Sequence, residues 1–115
     1  MFRKKSHIIA DISSINYSDV TIEKSSRWSV YADIKLIGRN TRKEHNELVY
    51  LHICSPSFAS SPGDELIDSK TLILDFLNKD LVERKINDYI SEANSRKFKN
   101  WKEYYGFLSK YFDID

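Results

Sequence analysis

Trp28, Val30, Ala32, Ile34 and Leu36 recur at every second position, with Ser29, Tyr31, Asp33 and Lys35 between them. That is the period of a strand with one buried and one wetter face. Gly38 opens a polar run through Asn46, and the alternation resumes with Val49, Leu51 and Ile53 against Leu48, Tyr50, His52 and Cys54. Two such runs joined by a polar connection predict a hairpin over 28–54, the longest strand pair in the chain, with a long exposed loop. Pro56, lacking an N–H, ends it. Upstream, Ile8, Ala10 and Ile12 alternate with His7, Ile9 and Asp11, which predicts a first strand of about seven residues. Residues 16–26 are polar and read as a connection, with Val20 and Ile22 as the hint of a short edge strand. Residues 55–69 carry two prolines, one glycine, five serines and the acids Asp64, Glu65 and Asp68; they read as a loop, of a length that is usually functional or mobile. Leu72, Leu74 and Phe76 mark a fourth strand.

The period then changes. Asp80 and Glu83 have the spacing of a capping box, with Asp80 as the N-cap. Leu81, Val82, Ile86, Tyr89, Ile90 and Ala93 follow at helical spacing and give one apolar stripe over 80–95. After a polar break at 94–99, Asn100 and Glu103 repeat the capping spacing, and Trp101, Tyr104, Tyr105, Leu108, Tyr111 and Phe112 form an aromatic stripe. Gly106 within it costs up to about 1 kcal/mol relative to Ala, so packing has to hold that helix. Strands first and helices last predict an α+β domain spanning 1–115: an antiparallel sheet of about four strands with a long central hairpin, covered on one face by two C-terminal helices. Ile8, Ala10, Ile12, the even residues 28–36, Val49, Leu51, Ile53, Leu72, Leu74 and Phe76 would face the helices. His7, Asp11, Tyr31, Asp33, Lys35, Tyr50, His52, Cys54 and Asp75 would lie on the open face.

Composition narrows the class. At 115 residues with 41% hydrophobic and 30% charged residues, the chain can build one core and a solvated surface. A net charge of +1 supplies no strong field for nucleic acid or anionic membrane. The charge is uneven: residues 64–92 carry four basic and eight acidic groups. The single cysteine, Cys54, excludes an internal disulfide and a thiolate zinc site and fits a reducing compartment. Met1 to Lys5 is basic, but no apolar signal core follows, and no apolar run approaches a membrane span. A cytoplasmic protein with no membrane partner is expected.

Candidate chemistry is sparse. His52 and Cys54 share a strand face, the one arrangement resembling an activated thiol. Same-face neighbours two apart sit roughly 6–7 Å apart at Cβ, long for a direct bond, and the plainer reading is a strand histidine beside a small filler. His7, His45 and His52 show no metal-ligand spacing, and Asp64, Glu65 and Asp68 are too few for a calcium loop. No phosphate-cradling glycine loop and no serine elbow is present. Arg39, Arg42 and Lys43, or Arg96, Lys97, Lys99 and Lys102, could meet phosphates, and Tyr31 and Tyr50 could stack bases; basic turns are more often simply solvated. No enzyme and no cofactor is expected. A binding module remains.

The layout also resembles the Immunity protein 8 family, which guards bacteria carrying polymorphic or contact-dependent toxins. The resemblance rests on an N-terminal strand and a long hairpin ending in Ile53-Cys54-Ser55-Pro56-Ser57-Phe58. It continues through a variable loop, the strand Leu72-Ile73-Leu74-Asp75-Phe76, a helix over 80–95, and a closing pattern of Trp101, Leu108 and Tyr111-Phe112. The family's further aromatic–acidic tail has no counterpart after Phe112-Asp113-Ile114-Asp115. Its members are non-catalytic, so the resemblance implies inhibition by binding a cognate toxin C-terminal domain, a nuclease among the candidates, in a cytoplasmic complex.

On this reading the toxin-binding residues are Tyr31 and Tyr50, flanked by Asp33, His52 and Asp75, with Asp64, Glu65 and Asp68 mimicking phosphate toward a basic cleft. The alternative is a small nucleic-acid-binding α+β domain using the open sheet face. The chain is expected to work as a monomer or a homodimer.

Overall fold

A computed structural model describes residues 7–39, 41, 44–59 and 71–114. The protein is α+β, with a mostly antiparallel sheet and helices toward the C-terminal end. In chain order the elements are β1 (Ile9–Lys24), β2 (Arg27–Arg39), β3 (Asn46–Cys54), α1 (Pro56–Ala59), β4 (Thr71–Ile73), α2 (Lys79–Ser95), α3 (Trp101–Leu108) and β5 (Asp113–Ile114). The sheet order is β1-β2-β3-β4, with β5 also on β3.

The β2–β3 hairpin forms in the register its alternation demands. Val30 faces Ile53, Ala32 faces Leu51 and Ile34 faces Val49, and all six are buried. The first strand corrects the sequence expectation. It extends through residues 16–24 instead of stopping near Ile12, so β1–β2, and not β2–β3, is the longest strand pair. Its hydrophobic phase changes along the way. Ala10 and Ile12 pair with Gly38 and Leu36; the register then steps past Ser13, and Ile15 and Tyr17 pair with Ile34 and Ala32. A bulge at Ser13 therefore lets even-numbered and then odd-numbered residues reach the same face. A second step between Ser18 and Thr21 surrounds Asp19, whose φ is 50°, a left-handed conformation that Asp tolerates better than most residues.

Three further expectations are corrected. β4 is three residues long and runs parallel to β3, His52 opposite Thr71 and Cys54 opposite Ile73. Leu72 and Leu74 pack on the core, but Phe76 lies beyond the strand and is 70% exposed. The N-cap of α2 is Asn78, whose side-chain oxygen accepts from the Leu81 N–H at 3.1 Å. Asp80 sits instead in the first turn, where a carboxylate favours the helix dipole. Finally, α3 ends at Leu108, and Tyr111 and Phe112 belong to the turn that delivers β5 to β3, Val49 opposite Ile114.

The core lies between the sheet and α2 and α3. Helix α2 presents Val82, Ile86, Ile90 and Ala93, and α3 presents Tyr104, Phe107 and Leu108. Each fully buried aliphatic side chain contributes roughly 2 kcal/mol. At the Ala10 end, polar bonds fix the helices to the edge strand. The Ala10 N–H donates to Asn94 Oδ1 and the Asn94 amide donates to Ala10 O, both at 3.0 Å, while Tyr104 Oη donates to the same Oδ1 at 2.7 Å. The Ile8 N–H donates to Phe98 O at 3.0 Å. The Asn94 side chain thus stands in for a neighbouring strand and closes that stretch of sheet edge.

His45, just before β3, is likewise held. The His45 ring stacks on Trp101 at 3.7 Å and lies 2.8 Å from Tyr105 Oη. Gly38 makes this possible: a Cβ there would come within 2.7 Å of the Trp101 ring and 3.0 Å of His45 Cβ. Gly106, by contrast, has nothing within 4 Å of such a carbon; its place in α3 is not a steric necessity.

Candidate interaction surfaces

The β2–β3 register brings four expected site residues together on the open sheet face, Tyr31 opposite His52 and Asp33 opposite Tyr50. All four are half-buried. They form part of a connected layer. Tyr31 stacks on His52 with centroids 4.7 Å apart, and Phe58 of α1 meets the imidazole in an edge contact at 6.1 Å. Arg27 lies over the Phe58 ring at 5.4 Å and donates to Ser57 O. Ser18 Oγ donates to Asp33 Oδ1 at 3.0 Å. The remaining expected residues do not join this group. Asp75 falls in the bend after β4, exposed and next to Phe76. Asp64, Glu65 and Asp68 lie outside the described residues.

The thiol chemistry weighed for His52 and Cys54 finds no geometry. Cys54 is fully buried, and burial pushes its pKa up, favouring the unreactive thiol. The two imidazole nitrogens point elsewhere, Nε2 at 2.7 Å from Ser29 Oγ and Nδ1 at 3.3 Å from Thr71 Oγ1. Ser29, His52 and Thr71 mimic the order of a nucleophile, a base and an orienting group. However, Ser29 is 5% exposed, and a neutral hydroxyl cannot stabilise an imidazolium as a carboxylate does. The chain of contacts instead ties β2, β3 and β4 together. Among the described residues no three His, Cys, Asp or Glu side chains converge as a metal site, and no helix is long and apolar enough to cross a membrane.

A second surface was largely hidden in the sequence. Helix α2 begins level with Tyr17: the Tyr17 hydroxyl donates to Glu83 at 3.2 Å, and Lys79 Nζ sits 4.8 Å above the Tyr17 ring. The β1–β2 hairpin runs on past the start of α2 to its turn at Ser25 and Ser26; of the described helices, α1 reaches it there, through Arg27 on Ser57 and Phe58. Its core-side residues there are Val20, 59% exposed, and Ile22, 70% exposed. Together with Phe76 and Leu77 from the β4–α2 connection, they border a groove of about 330 Å³ reaching Tyr17 and Trp28. Val20 and Ile22 were visible as a possible edge strand, but Phe76 reads as core. Only the direction and brevity of β4 bring these segments together.

The charged side chains that line the groove are Lys24 and Lys79. Tyr17 reports the local field: its pKa is pushed up to about 12, first by burial and then by the charges of Glu83 and Asp80.

No family model, no curated protein and no solved structure matches the chain.

Proposed function

We propose that the chain is an immunity-type inhibitor, which binds a cognate bacterial toxin domain and masks its active site or a surface the toxin needs. The observation that carries this reading is the exposed apolar groove at the hairpin end. A domain with a well-formed core still displays Val20, Ile22, Phe76 and Leu77 around one groove, and contiguous exposed apolar surface of this kind marks a place where another molecule docks. The resemblance in layout to the Immunity protein 8 family supplies the class of partner. Inhibition is by occupancy, with aromatic and aliphatic anchors at the centre of the contact and charges at its rim; the chain performs no catalysis and needs no cofactor.

The test begins with a tagged chain in its native bacterium, a stoichiometric partner identified by mass spectrometry, and expression of that partner alone. The expected result is a toxic protein whose toxicity the chain relieves. Recovery of RNA or DNA without a protein partner, with binding that falls steeply as salt rises, would replace this reading with nucleic-acid binding.

A further inference from the structure

Strand β1 is an edge of the sheet, paired with β2 alone. Alternation decides which of its backbone groups look outward. The Gly38 N–H donates to His45 O, and the Trp28 carbonyl accepts from the Ser55 N–H. The even residues of β2 therefore turn to β3 and the odd ones to β1. Asp11, Ser14, Asn16 and Ser18 stand opposite odd residues and are the ones bonded to β2. Ala10, Ile12, Ile15 and Tyr17 point away, with the Ser13 bulge absorbing the extra step between Ile12 and Ile15. Ala10 bears this out, because its N–H and its carbonyl both meet Asn94. Beyond it, among the described residues, no hydrogen bond reaches the outward groups of Ile12, Ile15 or Tyr17.

This open stretch lacks the charges and prolines that keep sheet edges apart. From Ile12 to Ser18 there is no charged residue, no proline and no glycine. Asn94 bounds the window at Ala10, and the irregular step around Asp19 bounds it at the other end. The side chains of Ile12, Ile15 and Tyr17 pack at the margin of the core and are only half-buried. The window is also complementary to itself. Turned about a two-fold axis at Ile15, it sets Ile15 against Ile15 and Ile12 against Tyr17 of the other copy, outward group to outward group. A two-fold contact repeats every charge against itself, and here there is none to repeat; Asp11 at the border is already paired with Arg39.

We propose that two copies of this chain associate through this window, β1 antiparallel to β1, joining their sheets into one. The outward N–H and carbonyl groups of Ile12, Ile15 and Tyr17 then all have partners, and their half-buried side chains cover one another across the new ladder. A single strand pair buries less than a standard interface, so the dimer is a weak one that forms at high concentration. The inference goes beyond the inhibitor reading and does not depend on it.

The experiment is sedimentation velocity of the full chain from about 10 µM to about 1 mM, the range in which a small interface is populated, with ¹⁵N spectra across the same series. The average mass is expected to rise from one chain toward two. The amides of Ile12, Ile15 and Tyr17 should shift with it and exchange more slowly with solvent. Asn16 is exposed and next to the axis, which places its two copies on diagonal positions roughly 7–8 Å apart. Asn16→Lys or Asn16→Glu alone should therefore weaken association roughly tenfold by like-charge opposition, and an equal mixture of the two should restore it.

A chain that stays monomeric at about 1 mM overturns the proposal. So does a dimer that both variants leave unchanged, or one whose shifts centre on Tyr31 and Tyr50 or on Ile22 and Phe76. A dimer in a chain that relieves no toxicity keeps this inference and removes the inhibitor.

Discussion

The two ends of the β1–β2 hairpin obey opposite rules. At the Ala10 and Gly38 end, backbone groups on the sheet edge meet Asn94 and Phe98, and Trp101 packs on His45 and close to Gly38. At the Ser25 and Ser26 end, the ladder continues but Val20 and Ile22 on its core side face water. The same strand pair is thus a structural wall at one end and an exposed platform at the other. The first end should be sensitive to small chemical changes, and the second should tolerate large ones without loss of stability.

The largest effect is expected from Asn94→Ala. It strands the Ala10 N–H and carbonyl and removes the acceptor of Tyr104 Oη, so urea unfolding should show a loss of about 3 kcal/mol. Gly38→Ala should cost roughly 1–3 kcal/mol through overpacking against Trp101 and His45, and the cost should shrink in a Trp101→Leu background. Additive effects of those two substitutions would show that the close approach is not what makes glycine necessary.

The His45 contact adds a pH dependence. Burial against Trp101 and Tyr105 holds the folded-state pKa of His45 below its ordinary value, with Glu47 opposing that shift. The unfolded chain therefore binds the proton more readily. His45's contribution is full above about pH 6.5 and is lost as pH falls from there through the depressed folded pKa. The urea midpoint should drop between pH 7.5 and pH 5 more in the natural chain than in His45→Gln. At the exposed end, Ile22→Ser and Phe76→Ser should each change stability by less than about 0.5 kcal/mol. A loss of several kcal/mol from either would make that end part of the core and erase the contrast.

What the sequence disclosed follows the same division. β2, β3 and both helices were legible because each buries one face, and burial writes a period into the chain. The outer half of β1 was not legible. Residues 19–24 are exposed on both faces at the hairpin end, so polar residues serve there as well as Val, and the Ser25-Ser26 turn carries no glycine or asparagine signal. The bulge at Ser13 also breaks the alternation that a pattern reading follows. Pairing there is specified by continuation from a well-determined β2.

The candidate site divides likewise. Tyr31, Asp33, Tyr50 and His52 were correctly placed on one face because two alternating strands fix a register. The groove was missed because it needs the parallel direction of β4, which three residues cannot announce. Asn78 was overlooked as the helix cap because Asp80 and Glu83 match the capping spacing more fully.

The contact between Ala10 and Asn94 joins positions 84 apart in the chain. Closing so long a loop carries a high entropic cost that near-neighbour hairpins avoid. The β2–β3 pairing and the two helices can form from local contacts, so this closure belongs late on the route to the native state. Asn94 then acts as a latch: its removal should hasten unfolding while leaving the refolding rate nearly unchanged. The lifetime of the folded protein, more than the speed at which it is made, depends on one side-chain amide.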